Sequence, residues 1–189
     1  MKPWRRVASE RLQRSPVFDL DRVRFEPGDG SPPREFWVVE APDWINVVPL
    51  TDDRRVVLVR QYRFGVERLT LEIPGGMCDV GEPPARAAAR ELREETGYEA
   101  REIVPLGWVH PNPAIQTNRC HSFLAIGARS TGEPEPDADE AFEVSTVPLD
   151  EIPRLIRDGT ITHSLVVAAF YLLANSGTAT GIRAPLAFR

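Results

Sequence analysis

The chain of 189 residues predicts a single α/β domain with a mixed sheet, preceded by a small antiparallel β extension. Three observations carry this. Short runs of β-branched and aromatic residues recur through most of the chain, bounded by Gly, Pro and Asp turns. One segment, from Pro83 to Thr96, breaks that pattern with an alanine-rich helical stretch between two glycine-containing loops. Two further helical stretches, Leu149 to Arg157 and Ser164 to Asn175, close the pattern; the second is apolar on nearly all sides and is expected to be buried.

In chain order, Trp4 to Gln13 and Val17 to Glu26 have strand-like spacing, Gly28 to Pro33 forms a turn, and Phe36 to Val39 reads as a third strand. Residues 1–43 are therefore expected to form an extension with one face left to bury, on its own domain or against a second subunit. A homodimer is the expectation, because closed two-fold dimers are the commonest oligomer. Residues 44–175 form the main domain. There Asn46 to Leu50 and Arg55 to Tyr62 flank an Asp-rich turn and suggest a hairpin or meander. Leu69 to Ile73 is a short strand delivering the chain into Pro74-Gly75-Gly76. After the alanine-rich helix, Ile103 to Val109 and Arg119 to Ile126 read as strands joined by a proline-punctuated loop, His110 to Asn118, a plausible pocket wall. An acidic loop, Gly127 to Asp139, precedes a strand from Phe142 to Val147, and residues 176–189 read as a tail.

The helix carries the chemistry. Pro83 and Pro84 suit its first turn, and Gly97 suits the left-handed position just past its end. With Glu91 at zero on the helical wheel, Glu94 and Glu95 fall at about −60° and +40°, so three carboxylates share one arc. Ala85, Ala88, Ala89 and Leu92 fill a neighbouring arc as the expected core-facing stripe. Like charges at these spacings repel, and they lie in the last turn, where the helix dipole is already negative. Taken alone such a run more commonly marks a solvated acidic helix end; the other reading is a hard divalent cation such as Mg²⁺, which takes oxygen ligands and resolves the repulsion.

Composition narrows the partners. A net charge of −5 and a pI near 5.3 argue against a dedicated nucleic-acid binder, while small phosphorylated substrates remain compatible through local arginines. Cys78 and Cys120 are too few and too far apart for a disulfide framework, and Cys120-His121 with His110 nearby reads as strand residues rather than a zinc site. Trp4, Trp37, Trp44 and Trp108 each could stack on a base, since aromatic faces accept any nucleobase, but most tryptophans are core and none is singled out. The N-terminus is charged without an apolar leader segment, and Leu165 to Ala174 is too short to cross a bilayer of about 30 Å. The expected location is the cytoplasm, away from membranes.

The full spacing is more specific than the glutamates alone. Gly76, Glu82, Arg90-Glu91-Leu92, Glu94-Glu95, Gly97 and Tyr98 stand at the intervals of the Nudix box, which this stretch resembles at every defined position. The resemblance implies the Nudix α/β/α sandwich, a mixed sheet with helices on both faces, and a hydrolase using Mg²⁺ or Mn²⁺. Carried over by position, Glu91 and Glu95 are implied as principal metal ligands, with Glu94 and the Gly75 carbonyl as further ones. Gly76, Glu82 and Arg90 are implied as structural, the last two as a salt bridge tying the glycine loop to the helix.

Arg60-Gln61-Tyr62-Arg63 and then Leu71-Glu72-Ile73-Pro74-Gly75-Gly76 resemble the ADP-ribose and nucleoside diphosphate sugar pyrophosphatase branch, as does Pro113, fifteen residues beyond Tyr98. The implied partner is a small-molecule nucleotide sugar, with Arg60, Arg63, Glu72, Pro113 and Asn118 as candidate substrate-binding residues. In an extended strand Arg60 and Arg63 point to opposite faces, so one is expected to reach the diphosphate while the other supports structure. The branch draws its catalytic base from a loop after the box; here that implies Glu140, with Glu143 as runner-up and Glu94 as a further catalytic candidate.

Two positions depart from the branch. Gly75 replaces its usual alanine, and Asn118 stands where ADP-ribose enzymes often carry glutamate, which opens the choice of sugar. The rival readings are a Nudix hydrolase acting on diadenosine polyphosphates or other nucleotide derivatives, and a non-catalytic nucleotide-sugar sensor; the intact box favours an enzyme.

Overall fold

The computed structural model describes residues 2–135 and 143–177. The chain divides into two compact units: Met1–Asp43 with His110–Arg119, and Trp44–Val109 with Cys120–Arg189.

In the smaller unit β1 (Arg5–Arg14), β2 (Asp19–Glu26) and β3 (Arg34–Glu40) form an antiparallel sheet in that order. Every residue of β1 is exposed. Cross-strand ion pairs hold the strands together, Arg5–Glu26 at 2.5 Å and Arg24–Glu35 at 3.2 Å among them. Asp21 is buried, and a hydrogen bond from Arg11 holds its carboxyl below the ordinary range against the opposing effect of burial. Trp4 packs edge-on to Phe36 with ring centroids 5.7 Å apart. The loop from His110 to Arg119 lies along β3, where the Val39 N–H donates to Ile115 O at 2.7 Å and the Thr117 N–H to Val39 O at 3.1 Å. The tryptophans depart from the core expectation: Trp4, Trp37 and Trp108 are exposed.

The larger unit is built on β4 (Trp44–Leu50), β5 (Arg55–Arg63), β6 (Arg68–Glu72) and β7 (Gly75–Met77), followed by α1 (Pro84–Thr96) and β8 (Tyr98–Glu99). Then come β9 (Glu102–Val109), β10 (Cys120–Ile126), β11 (Arg129–Ser130), β12 (Glu143–Pro148), α2 (Ile152–Arg157) and α3 (Ser164–Asn175). The main sheet runs β12-β5-β4-β10-β9, parallel only between β4 and β10, which makes it mixed as expected. Strands β8 and β11 form a separate antiparallel pair.

Alternation along the central strands sorts the core into two layers. Ile45 and Val47 of β4 and Phe123 and Ala125 of β10 pack with Ala87, Ala88 and Leu92 of α1. Val48, Leu50 and Leu124 face the other way, onto Ile152 and Leu155 of α2 and Val166, Ala169, Phe170 and Leu173 of α3. Fully burying a side chain such as Phe170 contributes about 1.5–3 kcal/mol. Helix α3 is not buried on all sides, since Tyr171 is exposed.

The expected hairpin between β4 and β5 is reduced to one register pair, Leu50 with Val56. Beyond it the two strands splay apart. The gap is filled by β6 pairing on β5 and β7 pairing on β4, so a stretch read as a glycine loop also serves as a strand. The parallel partner β10 takes the far side of β4, which no local pattern around the Asp-rich turn announces.

Candidate active site

Local chemistry sets both ends of α1. Pro83 is the extended N-cap (φ −63°, ψ 134°) and Pro84 the first helical residue, where a missing N–H costs nothing. Gly97 adopts the left-handed conformation at φ 69° and donates its N–H to Arg93 O at 2.8 Å, closing the last turn.

The core-facing stripe differs from the expected one. Ala87, Ala88, Leu92, Glu95 and Thr96 are buried, while Ala85 and Ala89 are exposed. Ala87 lies within the arc of the carboxylates, so the acidic face and the packing face are largely one. This carries the carboxylates inward to the glycine strand. Glu95 is 4% exposed, and its Oε2 accepts the Gly75 N–H at 3.1 Å. Glu91 lies against Gly76 so closely that a Cβ there would fall 2.2 Å from its Oε1. A Cβ on Gly75 would stand 2.5 Å from both Asn46 Oδ1 and Ile45 O. At residue 75 the Ile45 backbone oxygen leaves no room for a Cβ, so glycine permits this close approach of the two strands.

Arg90 is the hub of the helix. It donates to Glu82 through Nε at 3.2 Å and Nη2 at 3.0 Å, to Met77 O at 3.1 Å, and through Nη1 to Glu91 at 2.9 Å and Glu94 at 3.0 Å. The Glu82 hydrogen bonds foremost, with the charge of Glu91 and the hydrogen bonds to Glu94 and Glu91, raise its pKa further despite partial burial. In turn the Arg90 hydrogen bond lowers that of Glu82. The sequence pattern left the repulsion among the glutamates to a cation; in this structure Arg90 also offsets it.

Strand β5 presents the two arginines differently. Arg63 is committed to Glu72, Nε to Oε1 at 2.8 Å and Nη2 to Oε2 at 2.7 Å, and Thr70 donates to the same carboxylate at 2.7 Å. Arg60 is exposed and stands 3.9 Å from Glu143 across the β5–β12 ladder. Asn118 and Pro113 belong to the smaller unit, where Asn118 is buried and its Nδ2 donates to Pro42 O at 3.1 Å. Glu140 lies outside the described residues. Its described flanks are anchored: the Glu135 N–H donates to Glu94 O at 2.8 Å, and Glu143 opens β12 opposite Arg60.

Sequence reading missed three residues around this centre. Thr70 supports Glu72. Among the described residues, the buried Nδ1 of His163 has no hydrogen-bond partner, and the charges of Glu72 and Arg63 act on its ring. Asn46 is buried beside Gly75, and among the described residues its Nδ2 has no partner either. Thr70 stands two residues before Glu72 on the same strand face, a local signal, whereas only tertiary packing brings Asn46 and His163 to the site.

Around the glycine strand the donors are carboxylate and carbonyl oxygens, the set that hard divalent ions take. The residues fit such an ion in donor chemistry. Among the described residues, however, no three His, Cys, Asp or Glu side chains already stand as a metal-holding group. Arg90 bridges Glu91 and Glu94, and Glu95 is turned to the Gly75 amide. Cys120 is buried and Cys78 half-buried.

A NUDIX domain model matches residues 42–170, which include the whole helix and glycine strand. The chain belongs to the Nudix family. Within that family it is similar to the ADP-ribose pyrophosphatase of Mycobacterium tuberculosis, 36% identical over 95% of this chain and 86% of that protein. It is also similar to the ADP-ribose pyrophosphatase of Bacillus subtilis, 33% identical over 88% of this chain and 90% of that one. A crystal structure of an ADP compounds hydrolase superposes with a TM-score of 0.81 at 25% identity, covering 93% and 94% of the two chains. These relatives place the chain on the ADP-ribose pyrophosphatase branch of the Nudix family, and the α/β/α architecture agrees.

Proposed function

We propose that the protein hydrolyses the diphosphate bond of ADP-ribose or another nucleoside diphosphate sugar, releasing a nucleoside monophosphate and a sugar phosphate. The observation that carries this is the docking of Glu91 and Glu95 onto Gly75–Gly76 by one buried helix face. It is joined by a likeness to ADP-ribose pyrophosphatases over nearly the whole chain.

Nudix hydrolases work with a divalent metal, for which Mg²⁺ or Mn²⁺ is proposed here. Glu91 and Glu95 would hold it, with Glu94 and the Gly75 carbonyl as further ligands. Such an ion stabilises charge on the diphosphate and makes a bound water more acidic. The remaining roles fall to the chain. Arg60, exposed and 3.9 Å from Glu143, is available to orient the diphosphate. Arg63, fixed on Glu72, shapes the strand that leads into the glycine loop. Pro113 and Asn118 are proposed to contact the sugar side of the substrate, and Glu140 to take the proton from the attacking water.

A cytoplasmic homodimer is proposed as the working form. Its support is the wholly exposed β1 and the exposed Trp4, Phe36 and Trp37 of the smaller unit; among the described residues no helix is long and apolar enough to cross a membrane. Sedimentation showing a fully active monomer would dismiss the dimer.

The deciding experiment is a product screen of ADP-ribose, GDP-mannose, UDP-glucose, diadenosine polyphosphates and dNTPs, with Mg²⁺ or Mn²⁺. AMP and ribose 5-phosphate from ADP-ribose, or the matching products from another nucleotide sugar, are expected. Preferential turnover of diadenosine polyphosphates or dNTPs would overturn the substrate class, and binding without turnover would indicate a sensor.

A further inference from the structure

Asn46 sits in the middle of β4, with Ser122 of β10 as its register neighbour on one side and Gly75 of β7 on the other. It is 7% exposed, its Oδ1 fills the space a side chain on residue 75 would need, and among the described residues its Nδ2 makes no hydrogen bond. A buried donor left unpaired is costly, and an apolar side chain of the same shape removes that cost. Nothing in the fold calls for an amide here, because Val48 and Leu50, on the same face of the strand, pack into an apolar core. A polar group that weakens the resting protein at its functional centre signals a second state in which it is used.

We propose that Asn46 is a positioning residue for the hydrolytic site, its amide held in reserve beside Gly75 and gaining its hydrogen bond when the glycine strand takes up the diphosphate and its ion. The inference rests on the hydrolase reading above. Ser122 supplies an internal comparison. It is 1% exposed with an unpartnered Oγ, yet its strand pairs with β4 and β9 and not with the glycine strand.

The test compares Asn46→Leu with Ser122→Ala for unfolding midpoint, KM and kcat on ADP-ribose. Both variants are expected to unfold at the same denaturant concentration as the wild type or higher. Ser122→Ala keeps its kinetics. Asn46→Leu keeps KM within about twofold but loses kcat by about tenfold to a hundredfold, as misplacement of a site by a fraction of an ångström does. A residue that merely packs would instead lose stability and activity together. In parallel, the side-chain amide resonance of Asn46 in ¹⁵N-labelled wild type is followed with Mg²⁺ alone and with Mg²⁺, AMP and ribose 5-phosphate. It should shift and become protected from exchange in the second sample.

Asn46→Leu with wild-type kcat, a destabilised Asn46→Leu, or an amide unmoved by ligand would each overturn the inference. The amide measurement is made on the wild type and decides the matter even if the variant fails to fold. Wild-type protein that hydrolyses no nucleotide sugar would instead sink the hydrolase reading, a separate and recognisable result.

Discussion

Arg63 and Glu72 meet at two points, at 2.8 and 2.7 Å, with the carboxylate side chain only 2% exposed and the guanidinium 40% exposed. Burial alone would push the Glu72 carboxyl up; the hydrogen bonds from Arg63 and Thr70 and the Arg63 charge together hold it below the ordinary range. A carboxyl depressed in the folded state adds stability above its unfolded pKa of about 4.3 and loses it as pH falls through the folded value. Arg63→Met strands the carboxylate and is expected to cost about 3 kcal/mol at neutral pH, the lower end for a broken buried pair given the exposure of Arg63. Because burial then raises the Glu72 pKa, the gap between variant and wild type should narrow on acidification. Denaturant titrations from pH 7 to 4 check this; a gap that widens would contradict it.

His163 has the opposite charge type and the same stability slope. Burial lowers its pKa, the Glu72 charge partly restores it, and the Arg63 charge lowers it again. The unfolded chain therefore takes up the proton first as pH falls below about 6.5, and the folded state loses stability in that window. His163→Leu should flatten the wild-type decline just below pH 6.5 while leaving the steeper acid limb from the carboxylates. An unchanged profile would place the ring in solvent.

Arg90 joins Glu82 and Met77 O of the glycine loop to the carboxylates of its own helix. Arg90→Met is expected to lower the melting temperature and to leave Glu91 and Glu94 repelling each other. Added Mn²⁺ should then raise the melting temperature of the variant more than that of the wild type, because ligand binding to the folded state is stabilising. Equal shifts in both proteins would mean that Arg90 and the ion do not share those carboxylates.

The box was legible in the sequence because its signals are local: two prolines set one end of the helix, a left-handed glycine the other, and the carboxylates lie within about one turn of each other. The burial of Glu95 was not. A wheel of residue types put Ala85 and Ala89 on the core side, whereas contact with β4 and β7 selects Ala87 and draws the carboxylates in with it. The splaying of β4 from β5 was equally hidden, since it depends on β10 and β7 claiming the edges of β4 from distant parts of the chain. Asn46 owes its place to those same long-range pairings, and His163, at the start of α3, to the packing of that helix. The arginines were found as a pair, and their division of labour became visible only with Glu72 in contact.

Glu91→Gln and Glu95→Gln each keep the shape of the side chain and remove its charge. Both are expected to abolish most turnover and weaken Mn²⁺ binding by calorimetry, with the circular dichroism spectrum unchanged. Near wild-type turnover at saturating metal in either variant would reassign the ligands.

Glu140→Gln should lower kcat by about a hundredfold with little change in substrate or metal affinity, the signature of a lost general base. An unaffected kcat, beside an inactive Glu143→Gln or Glu94→Gln enzyme, would transfer the role to one of those residues.

Because α1 packs through the same face that bears Glu91 and Glu95, its length is locked in a way its composition is not. One residue inserted within the helix between Pro84 and Leu92 turns everything beyond it by about 100°. Leu92 would leave the sheet and Glu95 would leave the Gly75 amide in a single step. No compensating slide exists, since Gly97 and Pro84 fix both ends. Drift in this segment can therefore proceed by exchange of residues on the solvent side, at Ala85, Arg86, Ala89 or Arg93, but not by gain or loss of chain.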